Sequence, residues 1–307
     1  MNNYLARRLF QTLPVLLGVS LLVFSMLHIV PGDPVKMMLS EFATQPEQLE
    51  KLRSQLHLDE PLPQQYGRFL WNAVQGDLGY SIRSKRPVTD EIRENLPATL
   101  QLALAGLFFA ALIGIPLGIL AAVKQYSWMD TGSMFVALIG VSMPSFWLGL
   151  LLIFAFSLHF RLFPATGGGD LKHLVLPAIT LGLGASAIIA RLTRSSMLEV
   201  LRQEYVTTAR AKGIRERGVL MRHAFKNALI PVVTVFGLQF GQLLAGTVVI
   251  ETVFSRPGIG RLLVGAILSK DFPLVQGVVL VVAVSYVLVN LIVDVVYAGL
   301  DPRIRYT

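Results

Sequence analysis

The chain alternates between long apolar stretches and shorter polar ones. A helix needs about 20 predominantly apolar residues to cross the hydrocarbon core of a bilayer. Six stretches reach that length, and they cover residues 9–30, 98–123, 131–158, 174–193, 229–250 and 276–298. The pattern predicts an all-α integral membrane protein with six transmembrane helices.

The polar stretches predict four parts of the chain. Residues 1–30 form an N-terminal transmembrane anchor, 31–97 a polar insert, 98–298 a five-helix core and 299–307 a tail. The first span resembles a signal peptide, but its apolar run exceeds the usual ~7–15 residues and no small-x-small cleavage site follows it. We therefore interpret it as an uncleaved anchor.

The insert begins at a turn and contains local signals of its own. Pro31-Gly32-Asp33-Pro34 ends the first helix, because two prolines and a glycine prevent its continuation. Residues 46–58 place leucines at positions 49, 52 and 56, which predicts a short helix. Residues 76–81, with the sequence GDLGYS, predict a tight loop.

Proline and glycine mark special positions inside the core. Ser142-Met143-Pro144-Ser145 interrupts the third span, and a proline there frees a backbone carbonyl. This segment either lines a path through the membrane or is a structural kink. Close packing between helices is the predicted role of four glycines, Gly182, Gly184, Gly241 and Gly246.

Composition supports a membrane protein and excludes thiol chemistry. Of the 307 residues, 53% are hydrophobic and 15% are charged, and the mean hydropathy is +0.60. A soluble domain has about a quarter of its residues charged. The chain has no cysteine, so disulfides, thiolate metal sites and cysteine nucleophiles are excluded.

Charge predicts the orientation in the membrane. Residues 191–228 carry nine of the 27 Lys and Arg residues. With both termini cytoplasmic, the inner segments hold 14 basic and five acidic residues, and the outer segments hold 13 of each. This arrangement follows the positive-inside tendency. The sequence pI near 9.9 therefore reflects membrane topology and does not indicate nucleic-acid binding.

The basic segment 191–228 predicts two short helices joined at Gly213. Residues 196–199 (SMLE) fit a capping box, which would start the first helix at Ser196. One face of that helix would carry Met197, Leu201, Tyr205 and Ala209. The second helix would cover 215–227, with an apolar edge made of Val219, Leu220 and Ala224. Its charge alone is compatible with either lipid binding or protein docking.

No catalytic motif is present in the sequence. There is no G-x-x-x-x-G-K-[ST] phosphate loop, no H-E-x-x-H and no G-x-S-x-G, and the five histidines lack ligand spacing. The chain is predicted not to be an enzyme and to hold no cofactor of its own.

Ionisable residues inside spans mark ion-coupled transporters. Asp294 is the clear case, and Asn290 lies one helical turn before it. Asp294 is either a coupling site or a partner of Arg303, Arg305 or a neighbouring helix. An ion-coupled transporter built around Asp294 is therefore an alternative function.

Two sequence segments resemble the ATPase-docking loop of ABC importer permeases, particularly the dipeptide, glutathione and nickel branch. Residues 204–213 read EYVTTARAKG and residues 222–231 read RHAFKNALIP. The likeness continues in order along the chain, at Arg7-Arg8, Pro31-Gly32-Asp33-Pro34, Gly76-Asp77-Leu78-Gly79, Arg194-Ser195-Ser196-Met197, Glu251-Thr252-Val253-Phe254, Pro257-Gly258-Ile259-Gly260 and Asp301-Pro302-Arg303-Ile304-Arg305-Tyr306. The general importer signature has Glu-Ala-Ala where this chain has Thr207-Thr208-Ala209, so no acidic docking role falls on position 207.

The resemblance implies the type I ABC importer permease fold with an extracytoplasmic insert after helix 1. It also implies a bacterial or archaeal plasma (inner) membrane and three kinds of partner: a second homologous permease, in most cases a different chain, two cytoplasmic ATPase subunits that bind ATP and Mg²⁺, and an extracytoplasmic substrate-binding protein. Membrane lipid surrounds the chain, and nucleic acid is not a partner.

Site residues follow from the same resemblance. The cytoplasmic helices of 196–227 would transmit ATPase motion. Their ATPase-coupling residues would be Glu204, Tyr205, Thr208, Ala209, Arg210, Ala211, Lys212 and Gly213. Gly213 would permit a close turn, and Arg210 and Lys212 would reach the partner. Candidates for the translocation path are Ser142, Pro144, Ser145, Asn290 and Asp294. The implied function is ATP-driven import of di- or oligopeptides or related small solutes.

Overall fold

The computed structural model describes residues 2–29 and 59–300. The regular elements in these ranges are helices, numbered α1 (Asn2–Ile29), α2 (Leu62–Val74), α3 (Val88–Val123), α4 (Trp128–Ser142), α5 (Ser145–Leu152), α6 (Lys172–Leu201), α7 (Glu204–Ala211), α8 (Lys226–Val253), α9 (Ile259–Leu268) and α10 (Phe272–Leu300). A π-helical segment, Ile153–His159, continues α5. A single turn, Glu216–Gly218, and a second π-helical segment, Val219–Phe225, lead into α8.

The chain forms two compact units. The first comprises residues 1–97 and 258–291, and the second comprises residues 98–257 and 292–307. The three boundaries along the chain fall within α3, in the loop between α8 and α9, and within α10.

The core of the first unit is made by the start of α3 together with α9 and α10. Its fully or nearly fully buried residues are Val88, Ile92, Ile259, Ala266, Leu274, Val275 and Val278. At the edge of this core, the Ser81 hydroxyl donates to Asp271 Oδ2 at 2.5 Å, and the Arg83 amide donates to the same oxygen at 3.2 Å. The carboxylate of Asp271 thereby fixes the loop that precedes α3.

Helix α1 has one buried side and one exposed apolar side. Ser20, Val23 and Phe24 are each at most 8% exposed, and the Gln276 side chain donates to Val23 O at 3.2 Å. Leu21 and Leu22 are 51% and 69% exposed. In a helix of a membrane protein, such exposed aliphatic side chains form the lipid-facing side.

The second unit is organised around α6, which packs against α4, α5 and α8. Small residues bring α6 close to α3: a Cβ added at Gly118 would come within 2.6 Å of Ala190 O, and one added at Gly182 would come closer still to Gly106 O. The close-packing prediction is confirmed at Gly182 and at Gly246, whose Cβ position is 3.0 Å from Leu181. It is wrong at Gly184, where the nearest atom would be at an ordinary 3.8 Å.

Four described helical stretches are long and apolar enough to cross a membrane. They are Val88–Val123, Lys172–Leu201, Glu216–Val253 and Phe272–Val293. Helices α4 and α5 qualify as a pair, and the apolar part of α1 covers Phe10–Met26. The structure therefore supports a multi-span helical protein, and the count of six stays a prediction.

The third predicted span, 131–158, is sharply bent at the interruption predicted for residues 142–145. Helices α4 and α5 are bent by 105° at the break between Ser142 and Ser145. Pro144 cannot donate a backbone hydrogen bond and disfavours helical geometry at the preceding residue. Met143 is accordingly extended, with φ −87° and ψ 132°.

The described part of the insert confirms one local prediction. Gly76 and Gly79 have φ of +83° and +78°, and the Gly79 amide donates to Asp77 Oδ1 at 2.9 Å, so residues 76–81 form a tight loop. The turn at 31–34, the helix predicted over 46–58 and the tail with Arg303 and Arg305 lie outside the described residues.

Candidate functional site

The basic segment begins inside α6 and not at a new helix. Because α6 runs unbroken from Lys172 to Leu201, Ser196 lies in its interior, where it is 7% exposed. A helix N-cap requires extended backbone, so the capping-box prediction is wrong. The chain leaves the helix at Arg202, and Gln203, with ψ 146°, precedes α7.

The break at 202–203 also shifts the phase of the predicted apolar stripe. Met197 and Ala209 are buried as predicted, but Tyr205 is 42% exposed. The residue that faces inward on α7 is Val206, which is fully buried. The four-residue spacing predicted one continuous helix. Because the chain breaks between α6 and α7, the two helices instead bury different faces.

Helix α7 is seated on a small apolar cluster, here called the α7 seat. Val206 and Ala209 of α7 pack against Val219, and the half-buried Val200 and Leu201 from the end of α6 complete the cluster. An eight-residue helix is not stable by itself in water. Its position therefore depends on this seat.

Replacing Val206 with aspartate should detach α7 from the seat. An unpaired carboxylate in an apolar site costs several kcal/mol, so the helix would swing into solvent. We expect trypsin to cleave the purified permease near Arg202, Arg210 or Lys212 at least about ten times faster than it cleaves the unmodified protein. Thr207→Asp, on the exposed side, is the matched control and should leave cleavage unchanged; equal rates for the two variants would contradict the seat.

Gly213 ends α7 with a left-handed residue. Its φ is +76°, its amide donates to Arg210 O at 2.9 Å, and the Ile214 amide donates to Ala209 O at 3.4 Å. These two bonds are those of a Schellman motif, in which glycine is the usual left-handed residue. The predicted break at Gly213 is confirmed.

The second predicted short helix is wrong as an independent element. After the turn, Glu216–Gly218 and Val219–Phe225 continue into α8, so the segment 215–227 is the end of a membrane helix. Its apolar edge is confirmed, because Val219 and Ala224 are fully buried. Ala224 packs in a cluster with Ala122, Met197 and Ala228.

Two polar contacts join α7 to the helix that enters the membrane. Arg210 donates from Nη2 to Glu216 Oε1 at 2.8 Å and from Nε to Oε2 at 3.2 Å, and this hydrogen-bonded carboxylate raises the pKa of the Arg210 guanidinium. Asn227 Nδ2 donates to Tyr205 Oη at 2.8 Å. These two contacts link α7 to the turn that leads into α8 and to the first turn of α8 itself.

Sequence reasoning missed Val206, Glu216 and Asn227 as parts of this site. The signal for Glu216 was its opposite charge at short sequence distance from Arg210. For Asn227 there was no usable signal, because the contact depends on how the chain turns at Gly213.

Most of the predicted ATPase-coupling residues form one exposed surface, here called the α7 surface. It comprises Glu204, Tyr205, Thr208, Arg210, Ala211, Lys212 and Gly213. Thr208 Oγ1 donates to Glu204 O at 3.0 Å, so its side chain lies along the helix. Ala209 is the exception, since it points into the α7 seat.

A bidentate ion pair fixes the end of α6 that precedes α7. Arg194 donates from Nε and Nη2 to the two carboxylate oxygens of Asp130, both at 2.7 Å. The Asp130 side chain is 8% exposed and also accepts the Tyr126 amide at 3.0 Å. Beside this pair is a cavity of about 450 Å³ lined by Arg194, Ser195, Leu198, Glu199, Arg202 and Gln203.

Two further buried polar side chains lie at and just after the C-terminal end of α8. Glu251, in the last turn of α8, is completely buried and accepts a hydrogen bond from Thr99 Oγ1 at 2.6 Å. Arg256 is 3% exposed and donates to Gln101 at 2.8 Å. Burial lowers the pKa of the Arg256 guanidinium.

The candidate path residues lie in both compact units. Ser142, Pro144 and Ser145 are exposed together at the bend between α4 and α5. Asn290 is half-buried in the part of α10 that belongs to the first unit. The side chain of Asp294 lies outside the described ones. Within residues 2–29 and 59–300, no group of three or more His, Asp or Glu side chains is arranged to hold a metal ion.

Known protein families match both parts of the chain. Residues 114–306 match the family "Binding-protein-dependent transport system inner membrane component". Residues 1–103 match the N-terminal family of the membrane components of the same transport systems. The two matches cover nearly the whole chain.

Relatives that match over their full length are named as permeases of transport systems. The glutathione transport system permease protein GsiC of Escherichia coli O6:H1 is 45% identical over 306 residues, with a coverage of 100% for each chain. The dipeptide transport system permease protein DppB of Escherichia coli K12 is 43% identical and aligns over 100% of this chain and 99% of its own length.

Solved structures show the same fold at lower identity. The methionine ABC transporter MetNI, in an inward-facing conformation, matches with a TM-score of 0.59 and 18% identity over 68% of this chain and 96% of that one. An amino acid ABC transporter solved with histidines matches with a TM-score of 0.54 and 14% identity, over 69% and 94% of the two chains.

These findings decide between the interpretations of the sequence. The alternative of an ion-coupled transporter built around Asp294 gains no support from these relatives. As expected for this family, the chain is a non-enzymatic transport subunit that works with ATPase and substrate-binding partners. The chain belongs to the family of binding-protein-dependent transport system inner membrane components, as a multi-span permease subunit of an ABC importer of the dipeptide and glutathione type.

Proposed function

We propose that this permease carries di- or oligopeptides, or a peptide-like solute such as glutathione, into the cell, and that α7 transmits the motion of an ATPase subunit to the membrane helices. The single observation that carries the coupling role is the construction of α7. It is a short helix with an exposed polar surface, a buried seat and two polar links to the start of α8.

The mechanical consequence follows from those contacts. The α7 surface is free to enter a groove on an ATPase subunit, where Arg210 and Lys212 would meet acidic or carbonyl groups. When ATP-driven closure moves that subunit, the force on α7 passes through the seat to the end of α6 and to the segment that continues into α8. ATP and Mg²⁺ are bound by the ATPase subunits.

The same proposal includes the partners and the orientation. A second, homologous but different permease completes the path, each permease docks one of two ATPase subunits, and both termini of this chain are cytoplasmic. The excess of basic residues in segments 191–228 and 299–307 supports that orientation. The names of GsiC and DppB support the peptide class of solute.

For the solute path, we propose the bend between α4 and α5 together with one face of α10. Ser142, Pro144 and Ser145 expose polar backbone and side-chain groups at the bend, and irregular backbone at membrane depth is tolerated where it lines a cavity. Asn290 and Asp294 lie one turn apart on α10.

The test is reconstitution of the permease with its partner permease, ATPases and binding protein in proteoliposomes. ATP hydrolysis should rise on addition of dipeptides or glutathione, with uptake that requires ATP. Stimulation by nickel alone would move the solute to the metal-complex class. Uptake by the permease alone under an ion gradient would overturn the ATP-driven mechanism, and failure to co-purify with any ATPase would favour a structural subunit with a lipid-binding loop.

A further inference from the structure

Helix α2 of the insert packs across α1 through four polar and aromatic contacts. The Tyr66 hydroxyl lies 2.9 Å from Ser20 Oγ, and Gln65 Oε1 lies 3.2 Å from His28 Nε2. Between these contacts, the Phe24 ring meets Tyr66 and Phe69, with ring centroids 5.4 and 6.0 Å apart. Both helices belong to the first compact unit.

These contacts place α2 beside the membrane-spanning part of α1. Ser20 and His28 are eight residues apart, which corresponds to about 12 Å along a helix. α1 ends at Ile29, where the chain passes into the insert. Because half of a bilayer's hydrocarbon core is about 15 Å thick, Tyr66 reaches well below the membrane surface and Gln65 lies near it.

Helix α2 therefore has a deep edge, which begins at Tyr66, and a shallow edge, which begins at Gln65. The side chains along these two edges differ in polarity. At 100° per residue, Leu70 and Val74 follow Tyr66 around the deep edge. Asn72 and Arg68 follow Gln65 around the shallow edge, and Trp71 lies between the two edges on the side that faces away from α1. The deep edge of α2 is thus apolar and the shallow edge is polar. The depth is given by the contacts with α1 and the polarity by the sequence of α2, so the two observations are independent.

The deep edge and the side of α2 that faces away from α1 are uncovered within the described chain. Val74, on the deep edge, is 82% exposed, and Trp71, on the side away from α1, is 66% exposed. Gly67 lies between them on the helix surface, and a Cβ there would meet no atom within 4 Å. On the shallow edge, Arg68 Nη2 contacts Glu60 Oε1 at 2.7 Å, a charged pair that belongs in water or among headgroups.

We propose that α2 is an interfacial helix that lies in the headgroup boundary of the leaflet on the insert's side, which is the outer leaflet in the proposed orientation. Lipid is the occupant of the deep edge, because this edge begins beside Tyr66 and so adjoins the lipid-facing side of α1 at Leu21 and Leu22. Tryptophan prefers this boundary, and an amphipathic helix lies in it with its apolar face toward the acyl chains. The insert is then anchored to the membrane at a second place besides α1.

The absence of cysteine from the chain makes a direct test available. A nitroxide label is attached to Val74→Cys on the deep edge, and to Arg68→Cys as the matched control at an exposed position on the shallow edge of the same helix. The assembled transporter, with partner cysteines replaced, is placed in phosphatidylglycerol–phosphatidylethanolamine nanodiscs. Collision of the label with oxygen and with a water-soluble nickel chelate is measured by spin-resonance power saturation.

The label at position 74 should collide several-fold more with oxygen than with the chelate, and the label at position 68 should show the reverse. Chelate access at both positions would overturn the proposal, because α2 would then lie in water. Low access of both reagents to position 74, with an immobilised spectrum, would also overturn it, because a protein partner would then cover the deep edge. Uptake activity of both variants confirms that the labelled transporters are folded.

Discussion

Valine in place of Gly213 should lower ATP-driven uptake while ATP hydrolysis continues. Gly213 has φ +76°, and the only obstacle to a side chain there is the backbone conformation, since an added Cβ would meet no atom within 4 Å. A left-handed conformation costs an ordinary L-residue about 1–2 kcal/mol. That cost shifts the balance away from the observed turn by about five- to thirtyfold, and uptake should fall by a similar factor.

The measurement compares uptake per ATP hydrolysed in proteoliposomes for three variants. Gly213→Asn should retain most of the coupling, because asparagine tolerates left-handed backbone better than other residues. Gly265→Val is a control in an exposed helical position where an added Cβ would meet no atom within 4 Å. Its uptake per ATP hydrolysed should be close to that of the unmodified protein. Undiminished coupling in Gly213→Val would show that the turn has no role in transmission.

Removing the Arg194 side chain should destabilise the second unit by about 3 kcal/mol, which is near the lower end of the range for breaking a buried ion pair. Without Arg194, the Asp130 carboxylate, which is 8% exposed, loses the cation that balances its charge. It keeps the hydrogen bond from the Tyr126 amide. The Arg194 side chain retains 27% exposure, which is why the lower end applies. Because α6 leads directly into α7, we also expect coupling to be weakened.

The free energy of unfolding in mixed micelles is the readout, and a double-mutant cycle with Asp130→Ala isolates the pair. The double variant should be less destabilised than the sum of the two single variants. Glu216→Ala breaks the exposed pair with Arg210 and is the control; it should change stability by no more than about 1 kcal/mol. Strict additivity at Asp130 and Arg194 would contradict an energetic link between them.

Hydrophobic length predicted much of the fold. Long apolar runs at 98–123, 174–193, 229–250 and 276–298 each lie within a helix long enough to span a membrane. This works because a backbone in lipid must satisfy its own hydrogen bonds, which leaves the helix as the solution for such runs. The same signal could not show that residues 131–158 bend, although Pro144 marked the place.

Helix ends in the basic segment were less predictable. Ser196 has the sequence of a capping box, but nothing local tells a new helix from the continuation of an existing one. In α6 the continuation is stabilised by packing, with Met197 fully buried in a cluster with Ala224 and Ala228. Tertiary contacts therefore override the local signal, as they commonly do.

The ATPase-coupling segment was identifiable by its resemblance to importer permeases, and the contacts that hold it were not. Residues 204–213 carry a recognisable sequence, whereas the link between Asn227 and Tyr205 spans 22 positions and depends on the turn at Gly213. The solute path is harder still, because its polar groups are few and a second permease would contribute the rest of its lining.

The central claim is that the α7 surface docks on an ATPase subunit, and site-directed cross-linking tests it most directly. Thr208→Cys, labelled with a benzophenone in the cysteine-free chain, is irradiated in the assembled transporter, with Lys85→Cys on the loop before α3 as the control. The account predicts an ATPase adduct from position 208 whose yield changes when ATP is added, and no ATPase adduct from position 85. An intact complex in which position 208 forms no ATPase adduct would contradict it.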